Sequence, residues 1–91
     1  MIGLDSIVKH DPALFAADIL EETVILSVEQ GRYFSMTETS RAIWARLEKP
    51  TWVGELCREL SKEYDAPEAD ITRDTLAFLN YLFERGLIRL S

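Results

Sequence analysis

The apolar residues of this chain change period along its length, and each change marks an element. Val24, Leu26 and Val28 alternate with Ile25, Ser27 and Glu29, the period of two expected of a strand with one face on a core. Gln30-Gly31 follows, and glycine accepts the positive φ that a tight hairpin turn demands. Tyr33-Phe34-Ser35-Met36 is therefore predicted to return antiparallel, with Phe34 and Met36 on one face and Tyr33 and Ser35 on the other. Two helix starts compete where this strand ends: Ser35 with Glu38 fits a capping box, and Thr37 fits a simple N-cap. Ile43 and Leu47, with Ala42 and Trp44 beside them, form the stripe of a first helix whose wet side carries Arg41 and Arg46. Pro50 stops it, because the residue before a proline is biased away from helical geometry.

Thr51 reads as the cap of a second helix, with Val53, Leu56, Cys57, Leu60 and Tyr64 at helical spacing. Asp65-Ala66-Pro67-Glu68 combines an N-cap residue, an early proline and a capping-box Glu, the start of a third helix expected to run to Arg85 with Gly86 as its stop. Leu87-Ile88-Arg89-Leu90 leaves as an extended tail or short strand. Upstream, Ser6-Ile7-Val8-Lys9-His10 suits a short edge strand closed by the Asp11-Pro12 turn. Residues 13–20 match no clean period, and they are read as a strand because a lone hairpin needs another strand to be stable. Glu21-Glu22 makes the intervening turn.

The third helix carries more apolar surface than one stripe requires. Ile71, Thr75, Phe78 and Leu82 form one row, and Leu76, Leu79 and Phe83 an adjacent one, with Ala77 and Tyr81 widening the total. Either this helix is central and touches both neighbours, or part of its face is left for a ligand.

Composition narrows the function. Ninety-one residues make one domain, 1–91, and the apolar and charged fractions are those of a globular chain. The formal charge of −6 repels phosphate backbones unless a local basic patch overrides it. One cysteine, Cys57, cannot form an internal disulfide, and one histidine, His10, cannot build a metal cluster with it. No signal peptide or membrane-spanning run is present in the sequence, so a cytoplasmic location is expected, with no membrane partner.

Catalytic chemistry is hard to assemble. The carboxylates are scattered along helix surfaces, Cys57 has the phase of a core residue, His10 falls at a turn, and the four glycines are isolated from one another rather than grouped in a phosphate loop. No enzyme, cofactor or metal site is expected. Three helices after a small sheet also suggest a winged helix-turn-helix. Between Asp65 and Gly86, however, only Arg73 and Arg85 oppose Asp65, Glu68, Asp70, Asp74 and Glu84, whereas a groove-reading helix needs a basic footprint. What remains is peptide recognition: a short exposed strand offers unpaired N–H and C=O groups to an incoming extended peptide. Residues 32–36 fit that role if they end the sheet, unless residues 6–10 or the C-terminal tail cover them. A homodimer through the strand edge or a segment swap is the other use of such an edge.

Val24-Ile25-Leu26-Ser27-Val28-Glu29-Gln30-Gly31-Arg32-Tyr33-Phe34-Ser35-Met36, followed by Thr39-Ser40-Arg41-Ala42-Ile43-Trp44, resembles the PqqD-like family, the stand-alone form of the RiPP recognition element. Thr51-Trp52-Val53-Gly54-Glu55-Leu56, Tyr64-Asp65, Asp74 to Leu82 and Arg85-Gly86-Leu87-Ile88 extend the resemblance over nearly the whole chain. It implies an α+β fold, a small antiparallel three-stranded sheet followed by a three-helix, winged-helix-like bundle. It also implies a domain without chemistry of its own, which binds the leader of a ribosomally made precursor peptide as an added strand between the third strand and third helix. The peptide is thereby presented to a partner enzyme, a radical-SAM enzyme in pyrroloquinoline quinone synthesis or a leader peptidase in lasso-peptide pathways. On this chain the implied peptide-binding residues are Arg32, Tyr33, Phe34, Ser35 and Met36 on the strand and Arg73, Leu76, Ala77, Asn80 and Tyr81 on the helix. Met36-Thr37 stands where the family usually has Leu-Asn, a change that keeps an apolar residue and a capping side chain. Trp44 is more similar to lasso-type or broadly PqqD-like members than to quinone-pathway ones.

Overall fold

A computed structural model describes residues 1–91, and it is an α+β fold with two small antiparallel sheets around three helices. The elements run β1 (Ile7–His10), β2 (Phe15–Ile19), β3 (Glu22–Ser27), β4 (Arg32–Thr37), α1 (Glu38–Arg46), β5 (Thr51–Trp52), α2 (Val53–Tyr64), α3 (Glu68–Glu84) and β6 (Ile88–Leu90). One sheet has the order β2-β3-β4 and the other β5-β1-β6.

The β3–β4 hairpin forms where period-two alternation and Gly31 place it. Gly31 takes φ 66°, and the strands pair from Ser27↔Arg32 to Glu22↔Thr37. β2 adds to the far side of β3, as the need for a third strand anticipates, through a tight turn in which Leu20 has a left-handed φ of 57°. Ile25, Phe34 and Met36 point into the core, while Phe15, Leu26 and Tyr33 form an exposed cross-strand row on the outer face.

Residues 6–10 and the C-terminal tail do pair, but with one another. β1 lies between β6 and β5 in the second sheet, with Val8 opposite both Leu90 and Thr51. This sheet ties distant parts of the chain to the helices: Val8 and Ile88 are buried, and His10 stacks its ring on Trp44 at 3.7 Å with Nε2 2.6 Å from the Trp44 carbonyl. His10 thus ends a strand against the core rather than sitting in an open turn. Burial pulls its pKa below the usual histidine value, against a smaller upward effect from the Trp44 carbonyl.

One open helix start is settled and two predicted caps move. Thr37, rather than Ser35, is the N-cap of α1, with Ser40 as its capping-box partner and Glu38 turning the chain at φ 51°. Thr51 does not cap α2: it pairs with Val8, and its hydroxyl donates to the carbonyls of Arg46 and Lys49. Asp65 does not cap α3 but ends α2 in the left-handed conformation, which a short polar side chain tolerates. Arg41 and Arg46 are half-buried through pairing, with Asp18 and Glu63 respectively. The core gathers Val8, Ile25, Phe34, Met36, Ile43, Trp44 and Leu47 with Val53, Leu56, Cys57, Leu60, Leu79, Leu82 and Leu87. Cys57 lies in the α2 stripe as its phase requires, and burial pushes its thiol pKa up. No helix is long and apolar enough to cross a membrane.

Candidate functional site

β4 has β3 on one side and no strand on the other. Which of its peptide groups face outward follows from its last residue. Thr37 donates its N–H to the Ser40 Oγ at 3.1 Å and accepts from the same hydroxyl at its carbonyl, so its peptide groups turn away from β3. Antiparallel ladders alternate bonded and unbonded pairs. Arg32, Phe34 and Met36 therefore bond to β3, and Tyr33 and Ser35 present their N–H and C=O groups to the open side. No backbone partner outside the hairpin takes them.

α3 runs beside that edge. At its C-terminal end, Gln30 of the hairpin turn donates from Nε2 to the Arg85 carbonyl at 2.7 Å. Gly86 follows with φ 72°, a left-handed conformation that glycine takes without strain. Beyond the other end of β4, a hollow of about 400 Å³ opens between α1, α2 and α3, with Thr39, Ser40 and Ile43 on one wall and Ile71, Asp74 and Phe78 on another. Ile71, Asp74, Thr75, Phe78, Tyr81 and Arg85 recur at three- and four-residue intervals, so they share one face of α3. That face runs from the hollow to the hairpin turn. Phe78 and Tyr81 stack along it with centroids 6.4 Å apart.

The expected site residues distribute unevenly over this arrangement. Arg32, Tyr33, Phe34, Ser35 and Met36 are together in β4, with the Phe34 and Met36 side chains turned into the core and Tyr33 and Ser35 exposed. On α3, Tyr81 shares the face of Phe78 and Ala77 lies on its shoulder. Leu76 and Asn80 fall roughly 160° round the helix from Phe78 at 100° per residue. There the Asn80 amide clasps residue 2, accepting from the Ile2 N–H at 2.8 Å and donating to its carbonyl at 3.2 Å. Arg73 is exposed and held by Asp70 and Asp74. Ile71 and Phe78 line the hollow instead. Their row was visible in the sequence, but so was a second one through Leu76 and Leu79, and only the contact with Ile2 tells them apart.

A larger, shallower hollow of about 1050 Å³ lies between the β2–β3 turn and α1, ringed by Asp18, Glu21, Glu22 and Glu38. Its one cation, Arg41, is already engaged by Asp18 and the Thr23 hydroxyl. The hydrogen bond from Thr23, with a smaller contribution from Arg41, holds the Asp18 carboxyl below its usual pKa. The acidic ring and its occupied arginine leave no convergent chemistry there.

An open strand edge beside an aromatic-lined helix face, on a winged-helix-like frame, defines a binding module. The chain belongs to the PqqD family: the family model for coenzyme PQQ synthesis protein D matches residues 22–88. Among solved structures it is similar to TbiB1 in complex with the TbiA(beta) leader peptide, at 30% identity over 89% of this chain and 94% of that one, TM-score 0.80. A lasso peptide synthetase B1 complexed with the leader peptide shares the fold at 24% identity over 90% and 96% of the two chains, TM-score 0.75. A search of curated proteins found no significant match.

Proposed function

We propose that this protein binds the leader segment of a ribosomally made precursor peptide by strand addition along β4, without catalysing a reaction itself. The observation that carries this is the pair of unpaired peptide groups at Tyr33 and Ser35, facing the side along which α3 runs. The likeness to TbiB1, whose structure holds a leader peptide, supports the class of ligand. A peptide docked there takes backbone hydrogen bonds from Tyr33 and Ser35, and every second side chain lies against Phe78 and Tyr81 or enters the hollow bounded by Ile43 and Ile71. On the α3 side, this arrangement favours Ile71, Phe78 and Tyr81 as contacts over Arg73, Leu76 and Asn80. The bound leader is held for a modifying or processing enzyme of the same pathway.

The test is an amide NMR titration with the leader of the precursor encoded beside this protein. Tyr33 and Ser35 should shift most. Tyr33→Pro removes an outward N–H from an edge strand, a position where proline is tolerated, and should weaken binding by about tenfold with the fold intact. An unchanged Kd in a folded Tyr33→Pro variant would remove that hydrogen bond from the reading.

A further inference from the structure

The two ends of the β4–α3 groove differ in charge. At the hairpin end, Arg32 lies on the helix-facing side of β4 with its guanidinium 5.4 Å from the centre of the Phe34 ring, and the Arg85 guanidinium lies 3.7 Å over Tyr81. The Gln30 bond to the Arg85 carbonyl brings the segments that carry them together. Arg41, Arg46, Arg73 and Arg89 all face carboxylates, whereas Arg32, Arg58 and Arg85 are paired with none, and of these three only Arg32 and Arg85 lie over aromatic rings at the groove. In a chain of net charge −6, two unneutralised guanidiniums held over aromatic rings at one end of a groove form a local cationic, anion-binding subsite. The other end is the hollow with Ile43, Ile71 and Phe78 on its walls, bordered by Asp74.

We propose that the groove selects an extended peptide carrying a carboxylate side chain for the Arg32–Arg85 end and a large apolar side chain for the hollow, both on the same face of the bound strand. This rests on the strand-addition reading and adds the side-chain chemistry that the edge recognises. Side chains on one face of the bound strand are an even number of residues apart, and β4 spans about 17 Å from Arg32 to Thr37, so a separation of four to six residues, about 13–20 Å, bridges the two ends. Peptides with a basic residue at the carboxylate position are rejected, because a third cation would be brought up to two that lack counter-charges.

The experiment is selection from a displayed library of random peptides about twelve residues long, against the wild-type protein and against Arg32→Glu and Arg85→Glu, each checked for folding by thermal denaturation. Amide spectra of the enriched peptides with labelled protein then report the docking edge. Expected is enrichment of Asp or Glu four or six residues from an aromatic or branched aliphatic residue, with Tyr33 and Ser35 shifted. Binding of such a peptide should fall about tenfold in either charge-reversed variant and return when its carboxylate is replaced by Lys. Should Arg85→Glu fail to fold, Arg32→Glu carries the same test on an exposed side chain. Peptides that shift Tyr33 and Ser35 but show no acidic preference would overturn the charge rule and leave strand addition standing. Enriched peptides that leave both amides unmoved, or no enrichment at all, would overturn strand addition and the charge rule with it.

Discussion

The two sheets of this small fold are built for opposite ends. In β5-β1-β6 the central strand is paired on both sides, and its side chains close the core: Val8 is fully buried, and His10 is stacked on Trp44. In β2-β3-β4 both outer strands are free on one side, yet those two edges are unlike each other. β2 has no buried residue, whereas β4 is pinned from behind by Phe34 and Met36. An open edge can act as a template only if it holds its shape while empty. β4 meets that condition through its buried side chains, whereas β2 is held by its backbone ladder and by exposed polar contacts at Asp18, with no side chain in the core.

That contrast can be broken most forcefully at Val8. Val8→Asp places a carboxylate where no water or partner reaches and should cost about 4 kcal/mol or more, enough to unfold the domain, whereas Ala17→Asp on β2 should stay within about 0.5 kcal/mol. Urea denaturation measures both, and comparable losses would erase the distinction between tie and platform. Within the β2-β3-β4 sheet, Phe34→Ala should cost about 3–5 kcal/mol and Phe15→Ala less than about 1 kcal/mol. If Phe15 proved the more costly of the two, β2 rather than β4 would be the anchored edge.

Acid should act on the tie before the platform. The native pKa of His10 lies below the ordinary histidine value of 6.5, so the folded state binds fewer protons than the unfolded one. The His10 contribution is complete above pH 6.5 and is lost as pH falls from there through the lower native pKa. Urea midpoints should therefore drop between about pH 7.5 and 5.5 in the wild type, with a shallower slope in His10→Phe. The smallest effect belongs to the loose edge. Leu20 occupies a left-handed position in the β2–β3 turn with nearly its whole side chain in water, so Leu20→Gly should stabilise by up to about 1 kcal/mol. A net loss would mean that the side chain has a contact when the protein is free in solution.

The same contrast explains what could be read from the sequence. The β3–β4 hairpin was legible because its determinants are local: period-two alternation, a glycine at the turn and a cap at Thr37. The stripes of α1 and α2 were legible for the same reason. The phase of β3 was not, since Thr23, Ile25 and Ser27 are buried while Leu26 and Val28 of the more apolar set are exposed. Thr51 and Asp65 were misassigned because each fits an N-cap motif, while the deciding interactions are a strand pairing with Val8 and a left-handed helix end. The face of α3 was ambiguous because both of its apolar rows are real. One is closed by Ile2 through Asn80, a contact 78 residues apart that no local pattern records.

Ser40 sets the length of the open edge. By occupying the N–H and C=O of Thr37, it ends the free ladder after Ser35, so a docked strand finds two outward residues and four backbone groups. At about 0.5–1.5 kcal/mol each these bonds supply only about 2–6 kcal/mol, against an association cost of about 4–15 kcal/mol. Backbone pairing alone therefore offsets at best the low end of that cost. A strand that offers this edge only backbone bonds is held weakly, and lasting attachment has to draw on side-chain contacts as well.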